Sequence, residues 1–234
     1  MNSKRISEFF NASSAPTSNE SLAHLKDGTL ISGYVGLDVK FYTHINCPSM
    51  LYTLEYLSSK HSSPYNIVET GCSSWGVSST LLWDTFVSEF GGTVDSIDIN
   101  MQNVEHARKA VSENTTIHCS DSVDFLLDYR KPIDLLYLDS FDCDFFRDNG
   151  SADHHLKEFK AVENLLKESS LILIDDTPIN KHWLDNAMQR KDYDYLSETH
   201  VFYGKGNKIY SYLTQQTHSK LLLHTYQCLF EYYP

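Results

Sequence analysis

The sequence predicts an α/β fold: a doubly wound, mostly parallel sheet with helices on both faces and an antiparallel hairpin strand near its C-terminal edge. Three observations predict it. From residue 65 onward, short apolar runs alternate with helical stretches, the rhythm of right-handed βαβ crossovers. The apolar runs are near-continuous, as strands buried on both faces are. Near the end, two strand-like runs flank Gly204-Lys205-Gly206-Asn207, which reads as a tight hairpin, and a hairpin joins antiparallel strands.

Each element has its own signal. Strands are expected at Asn66–Glu69, Val94–Ile99, Thr116–Cys119, Ile133–Leu138 and Leu171–Ile174. Helices are expected between them, at Val77–Phe90, Met101–Glu113, Ser122–Tyr129 and Ala152–Lys167, with another near Lys181–Arg190. The hairpin strands are His200–Tyr203 and Lys208–Leu213. The aromatic tail, Ser219–Tyr233, reads as a helix docking on the domain or on a partner, and a homo-oligomer is compatible with it. Residues 12–22 are small and polar, a composition that orders poorly. Residues 29–47 mix apolar and turn signals. Pro48 opens a helix over 49–60, because a proline in the first turn sacrifices no hydrogen bond. Residues 1–64 are expected to cap the substrate side of the main domain, residues 65–234.

Composition narrows the function classes. The chain has 234 residues, 41% of them hydrophobic, enough for a sizeable core. Its formal net charge of −12 excludes nucleic acid as a partner held through phosphates. The five cysteines are widely spaced, odd in number and without a CxxC pair, so they are expected as reduced thiols of a cytoplasmic protein. Neither a signal peptide nor a membrane-spanning run is legible.

In an open parallel sheet, ligands bind beyond the carboxyl ends of the strands. Strand one ends in Glu69-Thr70-Gly71-Cys72-Ser73-Ser74-Trp75-Gly76, where Gly71 and Gly76 permit a tight turn close to a ligand. The alternative is an ordinary strand-to-helix loop. Asp98 ends strand two and either accepts ribose hydroxyls or caps the helix at Met101. Asp121 and Ser122 follow strand three and either address an adenine or cap the next helix. Strand four ends at Asp139 and is followed by Asp142; strand five ends in Asp175-Asp176. Crowded carboxylates repel one another, and a hard divalent cation resolves that conflict.

The order Glu69-x-Gly71, Asp98, Asp121-Ser122, Asp139 and Asp175-Asp176 resembles class I S-adenosylmethionine (SAM)-dependent methyltransferases, whose sheet is Rossmann-like. The resemblance covers residues 65–214. It is nearest to the metal-dependent O-methyltransferases of the catechol type and of the sugar-modifying type that acts in macrolide and surface-glycan pathways. It implies SAM as methyl donor, held by Glu69, Gly71, Asp98, Asp121, Ser122 and Asp139, with Ser73, Ser74 and Ser78 meeting its methionine carboxylate. It implies Mg²⁺ or another divalent cation on Asp139, Asp175 and Asp176. The family's base stands three residues after the strand-four ligand as Lys or His, where this chain has Asp142. His154 and His155 open the following helix behind a long polar loop. They are either a general base or a surface pair.

The expected activity is methyl transfer to a hydroxyl of a small polyhydroxylated acceptor, a sugar or glycan. A metal-independent methyltransferase and a non-catalytic module on the same fold are the competing readings. An NAD-dependent oxidoreductase fits poorly, because the loop lacks GxGxxG.

Overall fold

In the computed structural model of the protein, residues 22–26, 29–32, 43–44, 46–72, 79–181, 183–184 and 202–234 are described. A small antiparallel sheet comes first, formed by β1 (Leu22–Lys26), β2 (Thr29–Ser32) and β3 (Thr43–His44) in the order β2-β1-β3. Helix α1 (Cys47–Lys60) follows, with proline in its first turn as expected.

The main sheet has seven strands: β4 (Tyr65–Thr70), β5 (Gly92–Asp98), β6 (Thr115–Cys119), β7 (Ile133–Leu138), β8 (Leu166–Ile174), β9 (Ser219–His224) and β10 (Cys228–Tyr232). Their order is β6-β5-β4-β7-β8-β10-β9. The strands from β6 to β8 are parallel, and β10 runs antiparallel to both β8 and β9. The chain winds outward from β4 through β5 to β6, then returns to the other side of β4 with β7. That reversal puts the topological switch point between the ends of β4 and β7, where open α/β sheets bind ligands.

The strand sequences explain the layers, because neighbouring residues face opposite sides of a sheet. Ile67, Leu135, Tyr137, Leu171, Leu173 and Leu229 face one side. They pack there with Met50, Leu54 and Leu57 of α1 and with Trp83, Phe86 and Val87 of α2 (Ser79–Phe90). Val68, Leu136, Leu138, Ile172, Ile174, Cys228 and Phe230 face the other. They meet Leu126 of α4 (Ser122–Leu127), Phe159 and Val162 of α5 (Ser151–Val162), and Ile209 and Leu213 of α6 (Asn207–Leu213). Helix α3 (Met101–Arg108) covers the β5–β6 end through Val104 and Ala107. Each fully buried Leu or Ile contributes about 1.5–3 kcal/mol. The two-faced demand for such residues is why β7 is buried at all six positions.

The five parallel strands and the antiparallel hairpin are present, but the hairpin lies elsewhere. Lys208–Leu213, expected as a strand, is helical in α6, and Gly204–Asn207 leads into that helix. The tail, expected as a helix, supplies both hairpin strands; β10 is buried at all five positions and inserts between β8 and β9. Its leucines and aromatics fit either period, and the buried slot beside β8 decides for strand. The helix expected to run to Lys167 stops at Val162; a short 3₁₀ turn follows and β8 starts at Leu166. The helix expected over Met101–Glu113 stops at Arg108, whose guanidinium turns back to the Ile117 carbonyl. Residues 12–21, and 182 and 185–190 of the helix expected near Lys181–Arg190, lie outside the described residues.

Candidate active site

Two close approaches build the site at the switch point. Gly71 ends β4 with φ +84°, and its amide donates to the Ile97 carbonyl at 2.7 Å. A Cβ on Gly71 would meet the Asp139 carbonyl oxygen, the Asp139 carbonyl carbon at 2.8 Å and Ser140 Cα at 2.9 Å. Only glycine lets the β4 and β7 ends lie this close. Next in the chain, the Cys72 amide donates to Asp98 Oδ2 at 3.0 Å. The Gly71-Cys72 pair therefore runs between Asp98 on one side and Asp139 on the other.

Asp98 does not cap α3. Asn100 does, accepting from the Gln102 amide at 2.9 Å. The Asp98 carboxylate stays above the β5 end, where it also accepts from the Asn100 amide at 2.6 Å and Asn103 Nδ2 at 3.2 Å. Beside it Ile99 is 73% exposed, an apolar surface of the kind a nucleobase covers. Asp121 caps α4 by accepting from the Val123 and Asp124 amides at 2.9 and 3.1 Å.

Glu69 is fully buried and accepts from Ser79 at 2.5 Å, Thr80 at 2.6 Å, Ser96 at 2.5 Å and Trp83 Nε1 at 3.0 Å. Burial raises its pKa against those four donors. Its oxygens tie the start of α2 to β4 and β5, so it shapes the loop from within. Ser73, Ser74 and Ser78, expected in that loop, lie outside the described residues.

The three carboxylates expected to converge do so: Asp139, Asp175 and Asp176 each offer an oxygen within 4.8 Å of the others. Parallel pairing brings them together, because β7 and β8 end level, with Leu138 opposite Ile174. Asp176 adopts a positive φ of 43°, a left-handed conformation that Asp tolerates better than most residues. Donors from distant parts of the chain surround the trio. Asp175 accepts from Asn46 Nδ2 at 3.0 and 3.1 Å, from Gln227 Nε2 at 2.9 Å and from the Tyr137 hydroxyl at 3.2 Å. Tyr137 shares its proton with Asp139 Oδ2, also at 3.2 Å, and the Tyr226 hydroxyl donates to Asp176.

These donors were not read from the sequence, and neither was the residue at the centre of the group. Lys205 is 1% exposed, and its Nζ lies 2.6 Å from Asp139 and 3.0 Å from Asp176. Burial alone would lower its pKa, but the surrounding carboxylates, Asp139 first, hold it well above the usual lysine range. At Asp176 burial works upward, but the same ammonium and the Tyr226 hydroxyl together outweigh it and lower the pKa, whereas burial dominates at Asp139 and raises it.

Behind Asp139 lies a second polar group. Glu158 is buried and accepts from Thr70 at 3.2 Å, Ser140 at 2.6 Å and Ser122. His154 Nε2 stands 3.2 Å from Glu158 and 3.0 Å from Ser122 Oγ, and that carboxylate raises the histidine pKa. Ser122 is therefore turned inward. His155 is fully buried, donates from Nδ1 to the Ser151 carbonyl at 2.7 Å, and burial pushes its pKa down to about 4. The surface pair weighed from the sequence is thus one half-buried and one internal histidine. Asp142 stands at the rim with its side chain 73% exposed.

No protein-family model matches the chain, and no curated protein matches it. Solved structures do. A Staphylococcus aureus protein provisionally named a caffeoyl-CoA O-methyltransferase aligns over 100% of this chain and 93% of its own, with 12% identity and a TM-score of 0.53. A Podospora anserina methyltransferase bound to S-adenosylhomocysteine (SAH) aligns over 80% and 78%, with 15% identity and a TM-score of 0.54. The MycE methyltransferase of the mycinamycin biosynthetic pathway, in complex with Mg and SAH, aligns over 86% of this chain and 51% of its own, with 16% identity and a TM-score of 0.54. The chain has the class I SAM-dependent methyltransferase fold, the Rossmann-like sheet with an antiparallel edge that the sequence predicted.

Proposed function

We propose that the protein is a SAM-dependent O-methyltransferase acting on a hydroxyl of a small polyhydroxylated acceptor, of the sugar or glycan class. The observation that carries this reading is the Gly71-Cys72 turn between Asp98 and Asp139. A carboxylate suited to ribose hydroxyls stands on one side of a glycine-cradled loop, and a set of acidic groups on the other. The neighbouring folds support SAM: two of those compared are bound to SAH.

When bound, SAM supplies the methyl group and its own leaving group, so this chain has to bind, orient and move one proton. In this reading Asp98 holds the ribose, with Ile99 under the base. Ser73, Ser74 and Ser78 of the loop after β4 are the candidates for the methionine end. The acidic rim favours the sulfonium cation, consistent with the overall charge. The acceptor enters beside Asp139. Asp142 takes the hydroxyl proton; His154, joined to the rim through Glu158 and Ser140, is the alternative acceptor. Residues 1–64 are the candidate cap over the acceptor side.

The sequence resemblance implies a divalent cation on Asp139, Asp175 and Asp176. The donor chemistry suits one, but Lys205 already stands where it would bind, so the residues as arranged do not fit it and no step is derived through it. Calorimetry with SAH, followed by transfer of a labelled methyl group from SAM to a panel of sugars, tests the proposal. Stoichiometric SAH binding with label in a saccharide is expected; absence of SAH binding overturns it.

A further inference from the structure

The acidic trio poses a physical problem that the described residues solve without an outside ion. Its six carboxylate oxygens all have protein donors. Lys205 serves Asp139 Oδ1 and Asp176 Oδ2, Tyr137 is shared between Asp139 Oδ2 and Asp175 Oδ2, Asn46 and Gln227 meet Asp175 Oδ1, and Tyr226 meets Asp176 Oδ1. A cage awaiting a metal leaves oxygens directed at a common point with nothing between them. Here an ammonium lies between two of the three carboxylates, 2.6 Å from Asp139 and 3.0 Å from Asp176.

That ammonium is placed by the backbone and not by a chance side-chain rotamer. The Lys205 amide donates to the Asp176 carbonyl at 3.0 Å, and the Gly206 amide donates to Thr177 Oγ1 at 2.9 Å. A Cβ on Gly204 would stand 2.6 Å from the Asp176 carbonyl oxygen, and one on Gly206 would stand 2.6 Å from Thr177 Oγ1. The two glycines thus let residues 204–206 lie flat on the end of β8, with the lysine between them directed into the trio. Nζ also reaches the Asp139 carbonyl at 3.3 Å. Ordering a long lysine stem in the interior is entropically costly, and a flexible surface lysine would not be held this way.

We propose that Lys205 is a built-in counter-ion that takes the place of a divalent cation among Asp139, Asp175 and Asp176, so that the site works without metal. The inference deepens the methyltransferase reading of this site. Lys205 is a positioning residue: it holds the carboxylates at the end of the cleft in one arrangement, and its withdrawal leaves a latent cation site. Two cations cannot share that point, so the lysine also excludes the metal.

The test is a Mn²⁺ titration of the full-length protein, followed by electron paramagnetic resonance, with wild type, Lys205→Met and Lys205→Ala, after chelator treatment. Wild type is expected to bind no Mn²⁺ up to ~1 mM. Lys205→Met, which keeps most of the stem's packing, is expected to gain one site at least about tenfold tighter, abolished by adding Asp139→Asn. Tight stoichiometric Mn²⁺ binding by wild type overturns the proposal without any variant, and so does a folded Lys205→Met or Lys205→Ala that gains no site. SAH binding to wild type in excess chelator, measured in parallel, separates the two readings: its loss in chelator counts against the counter-ion, and its absence in every buffer overturns the methyltransferase reading alone.

Discussion

Gly71→Ala tests whether the close approach of β4 and β7 makes the site. At φ +84° an L side chain costs about 1–2 kcal/mol. The new methyl would also stand 2.8 Å from the Asp139 carbonyl carbon and 2.9 Å from Ser140 Cα, all backbone, so no side chain can rotate away. Reaching a contact distance of ~3.5 Å requires the two strand ends to part by at least roughly 0.7 Å, and by more at the Asp139 carbonyl oxygen, which lies nearer still. Overpacking of that kind adds about 1–3 kcal/mol. The sum is about 2–5 kcal/mol, and for a chain of this size each kcal/mol lowers Tm by about 2–4 °C. Gly150→Ala is the control. Gly150 has a similar φ of +87°, but a Cβ there meets nothing within 4 Å. It carries only the conformational cost of about 1–2 kcal/mol. Thermal unfolding reads the stability of both variants, and calorimetry reads SAH. Gly71→Ala is expected to lose the larger Tm increment and, through displacement of the Cys72–Asp98 side of the loop, about 100-fold in SAH affinity. Gly150→Ala keeps wild-type affinity. Equal Tm losses, or unchanged SAH binding by Gly71→Ala, refute the reasoning.

Three further outcomes follow from the same geometry. Asp98→Asn removes a charged acceptor and is expected to weaken SAH binding by about 1.5–3 kcal/mol, seen in calorimetry as a loss of tenfold or more; an unchanged Kd contradicts ribose binding there. Glu69→Gln turns an amide donor toward two of the four existing donors in a sealed pocket and is expected to cost about 3 kcal/mol or more in a denaturant midpoint, whereas a near-neutral result would contradict the sealed pocket. His155 is depressed to about 4 in the folded state, so its contribution to stability is present above the unfolded value of about 6.5 and is lost as pH falls toward 4. Denaturation curves between pH 7 and pH 4 should show that part of the decline, about 3 kcal/mol at most, disappear in His155→Gln; an identical profile contradicts it.

The parallel half of the fold was legible because Ile133–Leu138 and its neighbours must be apolar on both faces, a demand few other environments make. The acidic residues ending β5, β7 and β8 were legible for a related reason: a carboxylate directly after a buried strand lies at the sheet's ligand-binding edge. The tail was not legible, since a Leu-rich, aromatic segment satisfies a helix or a strand equally and only the slot beside β8 selects. Lys205 was missed because Gly-Lys-Gly carries the local signature of a turn; its two glycines in fact permit close contact with Asp176 and Thr177. One signal was available: a lone lysine between glycines in a strongly acidic chain that must offset three neighbouring aspartates. Asn46, Tyr226 and Gln227 reach the trio from opposite ends of the chain, and no local pattern encodes that. Whether Asp98 caps the helix at Met101 also depended on a distant contact: the Cys72 amide draws Asp98 toward the β4 loop, and Asn100 caps the helix instead.

A crystal structure of the protein with SAH is the most direct measurement. The nucleoside should lie across Gly71-Cys72, with its ribose hydroxyls on Asp98 and its sulfur directed toward Asp139. Electron density for SAH elsewhere on the molecule, or a ribose that avoids Asp98, would contradict the account.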